Sequence, residues 1–150
     1  MTETAHHLVD NILPNAKVRQ YVLSVPVPLR YWMASNNKLL SKIHRIFASE
    51  VEKHYLIKHS RVSRSGSICF VQRFGSALNL NVHFHMLPLE GVYELKETAT
   101  LSSKKNSPPT DHEIKELVAK ISQRVVRLLK RLRYLNDTDT DTAPGDSLLE

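Results

Sequence analysis

The sequence predicts an α+β fold, an antiparallel sheet with helices on one face, and three observations point to it. In residues 79–87 polar and apolar side chains alternate strictly from Asn79 to Met86, which is the period of a half-buried strand. A second strand-like run, Ser67–Phe74, is separated from it only by Gly75, Ser76, Ala77 and Leu78, a spacer short enough to close an antiparallel hairpin. Two longer segments, residues 29–51 and 110–135, repeat apolar residues at three-to-four spacing, the stripe of an amphipathic helix.

Taken in order, residues 1–17 mix polar side chains with His6, His7 and Pro14 and read as an N-terminal arm. Adjacent histidines point apart on a helix or a strand, so that pair reads as solvated. Residues 19–25 are rich in β-branched and aromatic side chains, are stopped by Pro26 and Pro28, and form the first predicted strand. A helix follows from Leu29, broken near Ser35 and Asn36, either of which could cap its continuation, and its stripe is Leu39, Leu40, Ile43, Ile46, Phe47 and Val51. Lys38, Lys42, Arg45 and Lys53 make its opposite face, solvated in the simpler reading, while His44 and His54 read as structural. Residues 58–66 form a basic, serine-containing loop with no apolar period, suited to phosphate contact or to plain solvation.

After the predicted hairpin, Pro88 ends regular pairing or marks an edge, Glu90-Gly91 signals a turn, and residues 92–95 are expected to add a third antiparallel neighbour. Residues 98–109 contain no core-forming pattern and read as a connection. The last helix opens on a capping box, with Thr110 as cap and Glu113 reaching back, and carries the stripe Ile114, Leu117, Val118, Ile121, Val125, Leu128, Leu129 and Leu132. The repeated Asp-Thr of residues 137–142 and the low hydrophobicity beyond it make 136–150 an acidic, disordered tail. The folded domain is therefore expected over residues 18–135.

Charge narrows the partners. The net charge of +6 hides an asymmetry, because all 21 Lys and Arg precede residue 136 and face only 10 of the 15 acids there. A basic body of this kind favours a polyanion, with nucleic acid ahead of an anionic membrane surface. A single cysteine, Cys69, excludes an intramolecular disulfide and a Cys-rich zinc module. No secretory leader and no apolar run of about 20 residues is evident, so the chain reads as cytoplasmic without a membrane partner.

The alternating strand carries the chemistry. With Leu80, Val82, Phe84 and Met86 turned to the core, Asn79, Asn81, His83 and His85 line the other face, and residues two apart project in the same direction. His83 and His85 can therefore reach one metal ion. Two imidazoles alone make an incomplete site, and Gln72 or Asn81 is the candidate third ligand, with Asn79 and Glu90 as further donors nearby. A cation held on an open sheet face can polarise a phosphoryl oxygen during displacement at phosphorus.

The run from Phe70 through Gln72, Arg73, Phe74, Gly75, Asn79, Asn81, His83, Phe84 and His85 to Leu87, followed by Glu90-Gly91-Val92-Tyr93, closely resembles the rolling-circle insertion-sequence transposases of the HUH type, whose name describes the His, hydrophobic, His triplet. Tyr21-Val22-Leu23-Ser24 with Pro26, Pro28, Leu29, Arg30 and Tyr31 is similar to the segment those proteins carry upstream. The resemblance implies a ferredoxin-like palm and a DNA nickase and strand transferase. It implies that the histidines and a further polar residue hold Mg²⁺ or Mn²⁺ against the scissile phosphate of single-stranded DNA, while a tyrosine attacks to leave a 5′-phosphotyrosine link and a free 3′-hydroxyl. Lys58, Arg61, Arg64 and Arg73 are the candidate DNA contacts. The chain departs from the family pattern in lacking its Cys-rich module and its pair of tyrosines four residues apart, so it reads as a fragment truncated at both ends. Tyr134 is the candidate nucleophile. The alternatives are a noncatalytic DNA-binding module and an inactive gene remnant.

Overall fold

A computed structural model describes residues 17–57, 63–95, 101–105 and 107–136. It falls into two compact units, residues 1–108 and 109–150, and together they make the α+β fold that the sequence predicts. The N-terminal arm to residue 16, the loop residues Lys58 and Arg61, and the acidic tail from residue 137 lie outside the described residues. Among the described residues no helix is long and apolar enough to cross a membrane.

In the first unit β1 (Tyr21–Ser24) leads through α1 (Val27–Ser35) and α2 (Asn37–Leu56) to β2 (Ser67–Phe74) and β3 (Leu80–Pro88). Asn36 breaks the helical run as expected. Its extended backbone cannot continue α1, and its side-chain oxygen accepts from the N–H groups of Lys38 and Leu39, satisfying two donors that open α2. The three strands form one antiparallel sheet in the order β1-β3-β2, so β3 is the central strand. Its alternation is realised: Val82 and Phe84 are fully buried and Met86 is 2% exposed. Phe84 meets His44 and Phe47 of α2, with ring centroids 5.8 and 6.1 Å apart. Met33 of α1 and Leu39, Ile43 and Val51 of α2 complete the core on this face. Burial of this apolar surface stabilises the unit at about 25 cal/mol per Å².

Two expectations change. The third partner in the histidine-bearing sheet is β1, and β4 (Gly91–Leu95) leaves that sheet to pair with β5 (Leu101–Lys105) in a separate two-stranded ribbon. Pro88 donates no hydrogen bond, and the next amides are taken elsewhere: Leu89 N–H donates to Gly66 O at 2.9 Å and Glu90 N–H to Lys17 O at 2.7 Å. The chain thus bends away before β4 begins. Strand β5 also occupies part of the stretch 98–109 that reads as an irregular connection.

In the second unit α3 (Asp111–Arg131) opens on the predicted capping box. Glu113 N–H donates to Thr110 Oγ1 at 3.2 Å, and Thr110 N–H donates to Glu113 Oε2 at 2.8 Å. Leu117, Ile121, Val125, Leu128 and Leu129 are buried, whereas Val118 is half-exposed at the margin of the stripe. The helix stops at Arg131, short of residue 135. Arg133 adopts a left-handed φ of 60°, and Tyr134 N–H turns back to Leu129 O at 2.9 Å.

Candidate metal centre

Because α1 and α2 occupy the Phe84 face of β3, its other face carries Asn81, His83 and His85. The ladder surrounds the histidines with known neighbours. Ser24 and Gln72 stand opposite His83, and Val22 and Phe70 stand opposite His85. His83 is buried and His85 half-buried, with ring centroids 4.8 Å apart and ring planes inclined at 60°. Two imidazoles are thus side by side, as the period-two pattern requires.

One nitrogen of each ring is already held. His83 Nδ1 lies 2.5 Å from the carbonyl oxygen of Asn81. A carbonyl only accepts, so Nδ1 carries the hydrogen and Nε2 of the neutral ring presents a lone pair. His85 Nδ1 lies 2.6 Å from Gln20 Nε2. His85 Nε2 is buried and, among the described residues, has no hydrogen-bond partner; the same is true of Asn81 Oδ1. Buried polar atoms without partners are few in folded proteins, and two of them here belong to the histidine face of one strand.

No three His, Cys, Asp or Glu side chains gather into a metal-binding group among the described residues. A third protein donor on this face would have to be another kind of side chain, and two amides are the sequence candidates. Gln72 stands directly opposite His83, and its Nε2 donates to the Phe74 carbonyl at 3.1 Å, which fixes the amide and leaves Oε1 as the donor atom for a cation. Asn81 is four residues from His85, about 13 Å along an extended strand. Glu90 is engaged elsewhere. Arg19 Nη2 lies 2.5 Å from its Oε1, and the guanidinium beside it holds the Glu90 carboxyl below the usual range.

The other predicted site residues are dispersed. Arg73 is half-buried and donates to Asn37 Oδ1 at 3.0 Å and Ala34 O at 3.5 Å, at the α1–α2 junction on the helix-bearing side. Arg73 shares the parity of Val71, which stands opposite Phe84, so ordinary strand alternation turns it to that side. Arg64 is exposed, and its Nη1 donates to Ser63 O at 3.1 Å. Tyr134 belongs to the second unit, just past α3, and is half-buried. Tyr55, a further phenol, is buried, and its pKa is raised far above the ordinary value, first by burial and then by neighbouring Tyr21.

Gln20 is the site residue that sequence reasoning does not single out. It precedes β1 with the parity of Val22 and Ser24, but only the β1–β3 register puts that parity next to His85.

Residues 66–148 match the family model described as "Putative transposase". That stretch is more than half of the chain and includes His83, His85, Gln72 and Tyr134. No curated protein and no solved structure matches.

Proposed function

The chain belongs to that transposase family, and from this premise we propose that the histidine face of β3 is a divalent-cation centre that engages a phosphate of single-stranded DNA. The observation that carries the reading is the nitrogen arrangement: Asn81 O fixes His83 Nε2 as a lone pair, and His85 Nε2 is buried on the same face with no hydrogen-bond partner among the described residues. His83, His85 and Gln72 hold the ion. Gln72 is preferred to Asn81 because it stands across from His83, whereas Asn81 and His85 are too far apart along the strand to share one ion. The ion is Mg²⁺ or Mn²⁺, and it neutralises charge on the phosphoryl oxygens. The protein's own part is to fix the ligand rings, through Asn81 O for His83 and the ladder for Gln72, and to supply a basic body that draws in the polyanion.

This is the rolling-circle, HUH-type reading of a transposase. Its nucleophile is a tyrosine, for which Tyr134 is the candidate: its phenolic oxygen bonds to phosphorus as the bond from phosphorus to the 3′-oxygen breaks, leaving a 5′-phosphotyrosine and a 3′-hydroxyl that has gained a proton. A second reading, in which this chain binds DNA without cutting it, rests on the compact units: the histidines belong to the first and Tyr134 to the second.

Incubation with 5′- or 3′-labelled single-stranded DNA and Mn²⁺ separates the two. A covalent protein–DNA adduct that disappears in Tyr134→Phe and in His83→Ala establishes cleavage. Salt-sensitive binding with no adduct in either metal leaves the noncatalytic reading.

A further inference from the structure

His83 and His85 are neighbours on one strand, but their ring protons are set in different ways. His83 Nδ1 faces the Asn81 carbonyl at 2.5 Å, a group with no proton to give, so its tautomer has one solution. His85 Nδ1 faces the carboxamide of Gln20 at 2.6 Å, a group with a donor at one corner and an acceptor at the other. With Gln20 Nε2 toward the ring, Nδ1 accepts and the ring's proton sits on Nε2. That N–H is buried without a partner among the described residues, which is an unfavourable way to leave a donor. Half a turn of the amide brings Gln20 Oε1 to the same place. The ring proton then moves to Nδ1, the contact is kept, and Nε2 becomes a lone pair.

We infer that Gln20 is the positioning residue of His85: its carboxamide oxygen holds the Nδ1–H tautomer and so makes Nε2 a metal ligand. This rests on the proposed metal centre. It adds that the centre has one fixed imidazole and one adjustable imidazole, and that the adjusting group comes from outside the stretch that matches the family model. Partners that orient a ligating histidine contribute about 10–100-fold to metal affinity.

The test uses Gln20→Ala, which removes both corners of the amide, and Gln20→Glu, which keeps only acceptors. Gln20 is exposed, so neither change disturbs the core. Calorimetric titration of Mn²⁺ into the full chain is expected to show affinity falling at least tenfold in Gln20→Ala and returning to the wild-type value or above in Gln20→Glu. A residue that merely filled space would not be rescued by the carboxylate. Affinity unchanged in Gln20→Ala, with affinity lost in His85→Ala, overturns the inference and leaves the metal centre standing; affinity unchanged in both His83→Ala and His85→Ala overturns the metal centre itself. A second readout needs no metal. In ¹⁵N-histidine-labelled protein at about pH 8.5, above the ordinary imidazole range, the wild type and Gln20→Glu are expected to carry the His85 proton on Nδ1 and Gln20→Ala on Nε2. The same tautomer in the wild type and Gln20→Ala contradicts the inference whatever the metal result.

Discussion

The two faces of β3 are made by the same nine residues and are held in opposite ways. On one, Val82, Phe84 and Met86 are removed from water by α1 and α2, and their contribution is burial. On the other, His83 and His85 are positioned by directional contacts to Asn81 O and Gln20, and Asn81 Oδ1 and His85 Nε2 have no partners among the described residues. A strand stabilised on one face can leave the other incompletely satisfied, because the apolar face alone fixes the register. The lesson is a division of labour within one element: stability is drawn from the even positions, and ligand chemistry is available at the odd ones.

The largest effect that tests this division is Phe84→Ala. Removing the ring that packs on His44 and Phe47 is expected to cost about 3–5 kcal/mol in urea unfolding. His85→Ala, one residue away, is expected to cost far less stability while lowering Mn²⁺ affinity at least tenfold. Equal losses of stability in the two variants would dissolve the distinction between the faces.

Cys69 sharpens it from the neighbouring strand. It stands across from Met86 on the buried side, and burial pushes its thiol up to about 11. The thiolate at pH 8 is therefore scarce, and alkylation by iodoacetamide is expected to be at least tenfold slower in the folded chain than in urea. Equal rates would show that this side of β2 is open to water.

The turn that sets β2 against β3 provides a smaller effect of opposite sign. Leu78 is 82% exposed and holds a left-handed φ of 58°, a conformation that costs a branched side chain about 1–2 kcal/mol. Leu78→Gly is expected to raise the unfolding midpoint, by about 1 kcal/mol once the flexibility of glycine in the unfolded chain is offset. The histidine contacts should be unchanged.

The smallest effect is at the end of β3. Arg19 holds the Glu90 carboxyl below its ordinary value, so the pair stabilises the fold above that value and the contribution fades as pH falls through the lowered one. Glu90→Gln is expected to flatten the stability profile below about pH 4.3, the ordinary glutamate value, and to leave the neutral-pH metal affinity intact.

Local features of the sequence were the legible ones. Thr110 and Glu113 lie three residues apart and specify a cap between themselves. The alternation that begins at Asn79 and the Asn36 break are equally local. Long-range pairings were not legible, because period-two patterning says which side a residue faces and not which strand lies beside it. So β4 was expected in the histidine sheet, where β1 pairs instead. Arg73 reads with the loop cations because the pattern does not show which face the helices cover, and alternation along β2 turns its side chain to that face, toward Asn37. Leu101 to Lys105 carry no core signature, since a two-stranded ribbon requires none. At the site, His83 and His85 were legible from spacing alone, whereas Gln20 required the register between residues more than 60 positions apart.

A shared His83–His85 cation site is decided by calorimetric titration of Mn²⁺ into the wild-type chain and into the double variant His83→Ala, His85→Ala. The wild type is expected to give a saturable single-site isotherm that vanishes in a double variant with native circular dichroism. An identical isotherm in the folded double variant, or no saturable binding to the wild type, would rule the site out.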